Sequence, residues 1–319
     1  MDNTLRNTGI IIILFALVAL TWGTTWMAMK IAVASVPPIY ATGLRFLAAS
    51  PLLLLLAYFT RTPLLFPKGS RGFQLLVCLA YFAIPFTLMI YGERYVSSAL
   101  ASIIFANMPV VVLMASVLLL GERVSIAQLI GLIVGVASLS GILWQESSVS
   151  GETRWPGVVA LLAAVLIHAV MYVLSKKRGE KISVLTFNAL PCLGAGILLF
   201  IVGYLTEKPD TAAFTSASLL SVLYLGVVAG VFGIMAYFAL QQKATAFQAS
   251  LVFLVFPLIA IAVEKAVDHT TISTVSLWLL APLLAGILLT LYSAKGAKPA
   301  RSLQPAAAGN LIPTIKKAG

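Results

Sequence analysis

The sequence predicts an all-α polytopic membrane protein with ten transmembrane helices arranged as two inverted five-helix repeats. Composition is the first observation behind this prediction, since hydrophobic residues make up 61% of the 319 residues and charged residues only 10%. Soluble domains are about 45–50% apolar and about 25% charged. A transmembrane β-barrel is disfavoured, because its strands alternate in polarity over about ten residues, whereas the apolar runs of this chain are continuous.

Long apolar runs recur along the whole chain, and each can cross a bilayer core of about 30 Å. The first run continues to Lys30 without a small-x-small cleavage site, so we interpret it as a retained span rather than a signal peptide. The ten predicted spans are 9–29, 38–60, 72–92, 96–120, 125–144, 155–175, 182–204, 216–240, 244–264 and 273–294.

Lysine and arginine residues are divided unequally between the two predicted sides of the membrane. Fifteen lie on the side of the N-terminus, five lie on the other side, and Arg45 lies within the second span. Cytoplasmic loops carry the excess of these residues, so both termini are predicted to be cytoplasmic. The net charge of +11 therefore reflects orientation in a lipid bilayer, and no nucleic-acid partner is expected.

An internal duplication relates the two halves of the chain with an offset of 148 residues. It predicts a first repeat at 1–146, a second repeat at 147–294 and a flexible basic tail at 295–319. Because each repeat has five spans, the second repeat enters the membrane from the opposite side, and the repeats are inverted. Secondary transporters recurrently have this architecture, with the solute path between the halves. The offset aligns Pro85 with Gly233, Ala101-Ser102 with Ala249-Ser250, and Pro109 with Pro257.

Four segments of the first repeat form a recognisable set: T-W-G-T-T-W-M-A-M-K at 21–30, G-L-R-F-L at 43–47, A-L-A-S-I-I-F-A-N-M-P-V at 99–110 and G-E-R-V-S at 121–125. Together they resemble the EamA-type branch of the drug/metabolite transporter superfamily. The resemblance implies a ten-helix inner-membrane carrier that commonly exports amino acids, other metabolites or drug-like compounds. The second repeat departs from the pattern, because His269-Thr270-Thr271 stands where Gly-Glu-Arg would recur. We therefore interpret Gly121-Glu122-Arg123 as a structural turn, followed by Ser125 as the N-cap of the fifth span.

Proline interrupts the fourth and ninth spans at Pro109 and Pro257. Each removes a backbone hydrogen bond, and the freed carbonyl must be satisfied by protein or by cavity water. Two interpretations stay open, a hinge beside the solute path and a static packing kink. Gly131, Gly135, Ser138 and Gly141 form a small-residue stripe in span five, for which packing within the chain is favoured over a dimer interface.

Two ionisable residues within spans have both a functional and a structural interpretation. Arg45 lies about two turns into its span, where a charge is expensive; it either packs near the interface or contacts a carboxylate of the solute. His168 titrates near neutral pH in its ordinary state; it either couples transport to protons or forms a hydrogen-bonded helix contact.

Aromatic rings and hydrogen-bonding side chains occur in several spans and predict an amphiphilic pocket suited to amino-acid-like or aromatic solutes. Others of these residues are expected to pack or to lie at the membrane interface. Besides Arg45 and His168, the candidates for the solute path are Trp22, Trp26, Tyr91, Asn107, Tyr172, Asn188, Tyr237 and Gln248.

The predicted function is secondary active transport of a small molecule by alternating access, with export as the expected direction. The sequence contains no G-x-x-x-x-G-K-[ST] motif for ATP, so protons are one candidate coupling ion, and no cofactor or metal is expected. The alternatives are a membrane-embedded enzyme acting on lipid, which would need convergent acidic or histidine side chains, and a passive facilitator. The sequence leaves a monomer and a homodimer open.

Overall fold

The computed structural model describes residues 3–121, 124–149, 154–178, 182–244, 249, 251–269 and 272–293. Within these ranges every regular element is a helix, so the all-α prediction is confirmed. The main helices are α1 (Asn3–Ala32), α2 (Pro38–Phe59), α3 (Arg71–Gly92), α4 (Ser98–Leu120), α5 (Ile126–Val149), α6 (Trp155–Arg178), α7 (Val184–Glu207), α8 (Ser216–Lys243), α9 (Val252–Val267) and α10 (Thr274–Ser293).

Nine helices in the described ranges are long and apolar enough to cross a membrane. The remaining main helix, α9, has 16 residues and follows 245–248 and 250, which lie outside the described residues. The multi-pass membrane architecture is therefore confirmed, and the count of ten spans stays a prediction. Large apolar side chains such as Leu118, Ile126 and Trp278 point outward, with exposed fractions of 80%, 79% and 76%, as lipid-facing surfaces require.

Serine and threonine residues begin several helices by accepting a backbone hydrogen bond from the first turn. Ser97, Ser183 and Thr215 do so at the starts of α4, α7 and α8. Ser125 forms a reciprocal pair at the start of α5: its Oγ accepts from the Gln128 N–H at 3.2 Å, and Gln128 Oε1 accepts from the Ser125 N–H at 3.0 Å. This pair is a capping box and confirms the predicted cap.

The two prolines occupy different helical environments. Asn107 divides α4 into pieces at Ser98–Ala106 and Met108–Leu120, and Pro109 lies in the first turn of the second piece. An N–H there has no intrahelical partner, so proline costs little. Pro257 instead lies inside α9.

The middle parts of α3 and α8 are wound more loosely than an α-helix. A π-helical segment occupies Val77–Ala83 in α3, and another occupies Tyr224–Gly233 in α8. The offset of 148 residues places the first segment within the second. Such segments are frequent at functional sites, which directs attention to the space between these helices.

Helix packing follows the same pattern in both halves. α2 packs on α7, α5 packs on α10, α1 packs on α8 and α9, and α6 packs on α3 and α4. Replacing each helix in these pairs by the helix five places earlier or later in the chain gives the same set of pairs. Small residues allow the closest approaches, since a Cβ on Gly43 would lie 2.5 Å from the Phe200 N and a Cβ on Gly131 would lie 2.6 Å from the Gly286 O. The stripe that includes Gly131 therefore packs on α10 within the chain.

Candidate functional site

A central cavity lies between α1, α2, α3 and α4 of the first half and α6, α7, α8 and α9 of the second half. Its volume is about 160 Å³. Both π-helical segments contribute to its wall. The first contributes Tyr81 and Phe82, and the second contributes Leu225, Gly226, Ala229 and Gly230. The wall is mainly aromatic and apolar, as solute pockets usually are.

The polar groups on one side of the cavity satisfy one another. His168 Nε2 lies 3.0 Å from the Tyr81 backbone oxygen, and the Tyr81 hydroxyl lies 3.3 Å from the Tyr172 hydroxyl. The His168 ring also makes edge contacts with Tyr81 and Phe86, at centroid distances of 5.1 Å and 5.2 Å. These contacts agree with the structural interpretation of His168, a hydrogen-bonded contact between helices. Proton coupling through His168 stays a prediction.

Arg45 and Asn188 lie elsewhere in the wall of the same cavity. The Arg45 Nη2 donates to the Leu225 backbone oxygen at 3.3 Å, so α2 is tied to the π-helical segment of α8. Asn188 donates from Nδ2 to the Val184 backbone oxygen at 2.7 Å in its own helix. The positively charged side chain of the cavity is thus held by one backbone carbonyl and by aromatic rings.

An aromatic layer borders the cavity toward the end where Lys30 lies. The Trp26 ring lies 4.9 Å from the Phe105 ring and 6.3 Å from the Phe256 ring, measured between centroids. These residues come from α1, α4 and α9, so side chains from both halves form the layer. Following each helix one or two turns further leads to Lys30, Ser98 and Glu264.

Those residues belong to a cluster of charged groups beyond the aromatic layer. Lys30 Nζ lies 2.6 Å from Asp268 Oδ2 and 3.6 Å from Glu264 Oε1. Glu264 is buried and accepts hydrogen bonds from the backbone N–H groups of Ser98 and Ala99 at 3.2 Å and 2.8 Å. A carboxylate at a helix N-terminus is favoured by the helix dipole. The cluster therefore joins α1, α4 and α9 at this end of the cavity.

Glu93 extends the cluster from the loop between α3 and α4. Its Oε2 accepts from the Ser98 hydroxyl at 3.0 Å, and its Oε1 is buried without a partner among the described residues. Burial raises the pKa of Glu93 well above its ordinary value of 4.5; the Ser98 hydrogen bond and Lys30 lower it, while Glu264 and Asp268 raise it. A carboxyl group with a raised pKa is favoured in its neutral form.

The structure brings together six of the candidate residues that the sequence indicated and places three elsewhere. The Tyr91 ring packs on the Tyr95 ring at 5.0 Å between centroids, and Asn107 lies at the break in α4. The Tyr237 ring packs on the Trp22 ring at 4.7 Å and is not part of the cavity lining. Gln248 lies outside the described residues. The six in the cavity wall are Trp22, Trp26, Arg45, His168, Tyr172 and Asn188.

Sequence reasoning missed the part of α3 that lines the cavity, since its candidate on that helix was Tyr91, and it missed the burial of Glu93. Tyr81, Phe82 and Phe86 all line the cavity, and the spacing of four between Phe82 and Phe86 places them on one helix face. That spacing was a usable signal. Glu93 had a weaker signal, since a lone carboxylate at the end of a span ordinarily lies in solvent.

Comparisons with known proteins agree with this architecture. The chain matches the EamA-like transporter family twice, over residues 9–144 and 155–292. It is 56% identical over 279 residues to "Protein PagO" of Salmonella typhimurium, covering 88% of this chain and 92% of that protein. It is 50% identical over 282 residues to an "Uncharacterized transporter" of Buchnera aphidicola subsp. Schizaphis graminum, covering 88% and 94%.

More distant similarities extend over most of the chain. It is 27% identical over 272 residues to the "Uncharacterized inner membrane transporter YedA" of Escherichia coli K12, covering 83% of this chain and 85% of that protein. A solved crystal structure superposes with a TM-score of 0.63 at 17% identity, covering 90% of this chain and 98% of the other. That likeness concerns the fold. With both halves matched and relatives at 56% and 50% identity, the chain belongs to the EamA-like transporter family.

Proposed function

We propose that this protein is a secondary active transporter that exports a small organic solute by alternating access. The observation that carries the proposal is the central cavity, to which each half contributes four helices. Transport proteins of this kind bind the solute near the membrane midplane, between two repeats that move against each other. Relatives named as transporters support the same class of function.

Alternating access requires that each end of the cavity closes in turn. The end beside Lys30 has two closing layers, the aromatic contacts of Trp26 and the charged cluster around Glu264. Both layers join helices of the two halves. We propose that they separate when this end opens, and that the repeats 1–146 and 147–294 are inverted, so that their rocking opens the two ends alternately.

The proposed location is the cell inner membrane, with both termini in the cytoplasm. The fifteen-to-five division of lysine and arginine supports this orientation, and the relative YedA is named as an inner membrane transporter. In this orientation the Lys30 end faces away from the cytoplasm. If the C-terminus is cytoplasmic, alkaline phosphatase fused after residue 319 is expected to be inactive. An active fusion would contradict the orientation.

Transport by purified protein in liposomes tests the function directly. Vesicles are loaded with one solute from a panel of aromatic acids, amino acids and dyes, and efflux is followed with and without a pH gradient. A carrier gives saturable flux and exchange of labelled for unlabelled solute. Non-saturating flux without exchange would indicate a passive facilitator, and turnover of vesicle lipid would indicate an enzyme.

Locking the Lys30 end tests the alternating-access mechanism. Cysteines replace Lys30 and Asp268, whose side chains contact across α1 and the end of α9, and a short thiol-reactive crosslinker joins them. We expect exchange to stop on crosslinking and to return after cleavage of a reducible linker. The unmodified chain, whose Cys78 and Cys192 are buried, is the control for the reagent. Undiminished exchange in the crosslinked protein would contradict the mechanism.

A further inference from the structure

Arg45 has an unusual environment for a buried arginine. Its side chain is 3% exposed, and its guanidinium carbon lies 4.9 Å from the centre of the Phe86 ring and 5.7 Å from the centre of the Phe46 ring. One donor group, Nη2, reaches the Leu225 backbone oxygen. The other two donor atoms, Nε and Nη1, are buried without an acceptor among the described residues.

The charge of Arg45 also lacks a counter-ion among the described residues of the protein. None of the described residues that line the cavity is acidic, and no described carboxylate lies within 4.0 Å of the guanidinium. A guanidinium stays charged in proteins, and an uncompensated buried charge is strongly unfavourable. Ring faces attract a cation, but they accept none of the hydrogen bonds that Nε and Nη1 can donate.

The other polar groups of the cavity offer few hydrogen-bonding partners to a second charged group. His168, Tyr81 and Tyr172 are hydrogen-bonded to one another or to backbone. Thr25 and Asn188 each donate to a backbone oxygen of their own helix, and the remaining wall is mainly aromatic, methionine and aliphatic. An ammonium group in this cavity would meet a cation of like charge and, among the described lining residues, no carboxylate. A zwitterionic amino acid therefore matches the cavity less well than an anion with an apolar body.

We propose that Arg45 is the anion-binding group of the transport site and that the solute is an amphipathic organic monoanion. The carboxylate accepts from Nε or Nη1 together with the second N–H of Nη2, because each paired edge that arginine offers to a carboxylate includes Nη2. The body of the solute, an aromatic or aliphatic group, occupies the space beside Phe86 and Phe105. This inference rests on the proposed transport function and specifies the chemical class of its substrate.

Binding to the purified protein tests the inference separately from transport. The probes are phenylacetate, phenylacetamide, phenethylammonium and phenylalanine, which share a ring and differ in charge. Binding is followed through thermal stabilisation and through quenching of tryptophan fluorescence, since Trp22 and Trp26 line the cavity. We expect phenylacetate to bind about 10-fold to about 100-fold more tightly than phenylacetamide, because its charged group forms the stronger hydrogen bonds.

Substitutions of Arg45 assign the preference to this side chain. Arg45→Gln is expected to bind phenylacetate and phenylacetamide equally, and Arg45→Lys to retain part of the preference because it keeps the charge but not the paired geometry. Arg178→Gln is the matched control, since Arg178 also lies over a ring, that of Phe73 at 4.5 Å, outside the cavity lining. It should leave the preference unchanged. Size-exclusion profiles and melting curves verify that each variant is folded.

Several outcomes would overturn the inference. They are equal binding of phenylacetate and phenylacetamide by the wild type, tighter binding of phenethylammonium or phenylalanine, an unchanged preference in Arg45→Gln, and binding of none of the four probes. Charge-selective binding without any saturable flux would contradict the transporter and leave the anion site standing. Saturable flux without charge selectivity would support the transporter and overturn the anion site.

Discussion

Replacing Glu264 by glutamine is expected to destabilise the junction of α1, α4 and α9. The carboxylate is 3% exposed and accepts from the Ser98 and Ala99 N–H groups, while Lys30 Nζ lies 3.6 Å from its Oε1. Glutamine keeps the size of the side chain but has one carbonyl oxygen in place of two carboxylate oxygens. Its amide nitrogen would face a backbone donor, which leaves that buried donor without an acceptor.

The magnitude follows from the bonds that are lost. A hydrogen bond to a charged group contributes about 1.5–3 kcal/mol to stability. Glu264→Gln removes one of the two hydrogen bonds that the carboxylate accepts from backbone N–H groups. Against this, a neutral side chain avoids the cost of burying a carboxylate, and Lys30 retains Asp268 at 2.6 Å. We therefore expect a net loss of about 2 kcal/mol in the free energy of unfolding.

Reversible unfolding in mixed detergent micelles, followed by circular dichroism, measures this loss. Glu207→Gln is the matched control, because Glu207 accepts from the backbone N–H groups of Ile39 and Tyr40 at the start of α2. Glu207 is half-buried and has no ion pair among the described residues, so water can replace the lost bond. We expect the control to lose less than about 1 kcal/mol. Equal losses of unfolding free energy in the two variants would refute the reasoning that burial and the ion pair with Lys30 make Glu264 more important than Glu207.

Three further predictions concern packing, protonation and capping. Gly43→Ala should lower the free energy of unfolding by about 1–3 kcal/mol, measured in the same micelles, because its Cβ would lie 2.5 Å from a backbone nitrogen of α7. The stability of Glu93→Gln relative to the wild type should increase as the pH rises from below 4.5. Melting curves recorded at a series of pH values measure this difference. Because the folded pKa of Glu93 is raised, its contribution to stability is complete below its ordinary pKa and is lost as the pH rises through the folded pKa, whereas glutamine stays neutral. Ser125→Ala should cost about 1 kcal/mol, seen as a lower melting temperature.

Each of these predictions has its own control. Gly72→Ala should cost little, since a Cβ there meets nothing within 4 Å; an equal loss at Gly72 and Gly43 would contradict the packing explanation. A stability difference between Glu93→Gln and the wild type that does not change with pH would contradict the raised pKa. Ser125→Thr should keep the cap, and a loss equal to that of alanine would show that the hydroxyl is not what matters.

The sequence by itself determined the membrane class, the approximate helix boundaries and the family. These properties depend on local information, because an apolar run long enough to cross the bilayer has no soluble alternative and a serine cap such as Ser125 acts on its own turn. The segments at 21–30, 43–47, 99–110 and 121–125 were sufficient for the resemblance that the family match confirms.

Only the tertiary structure decided which polar and charged residues share a site. Arg45 and His168 are equally conspicuous in the sequence, and each has one backbone partner. Arg45 differs in having two further buried donor atoms without an acceptor among the described residues. Glu93 and Glu264 lie at the ends of different spans and meet beside Lys30 only after the helices pack. The physical reason is that hydrogen-bond satisfaction and burial depend on neighbours far away in the chain, and a single sequence does not specify the distances among them.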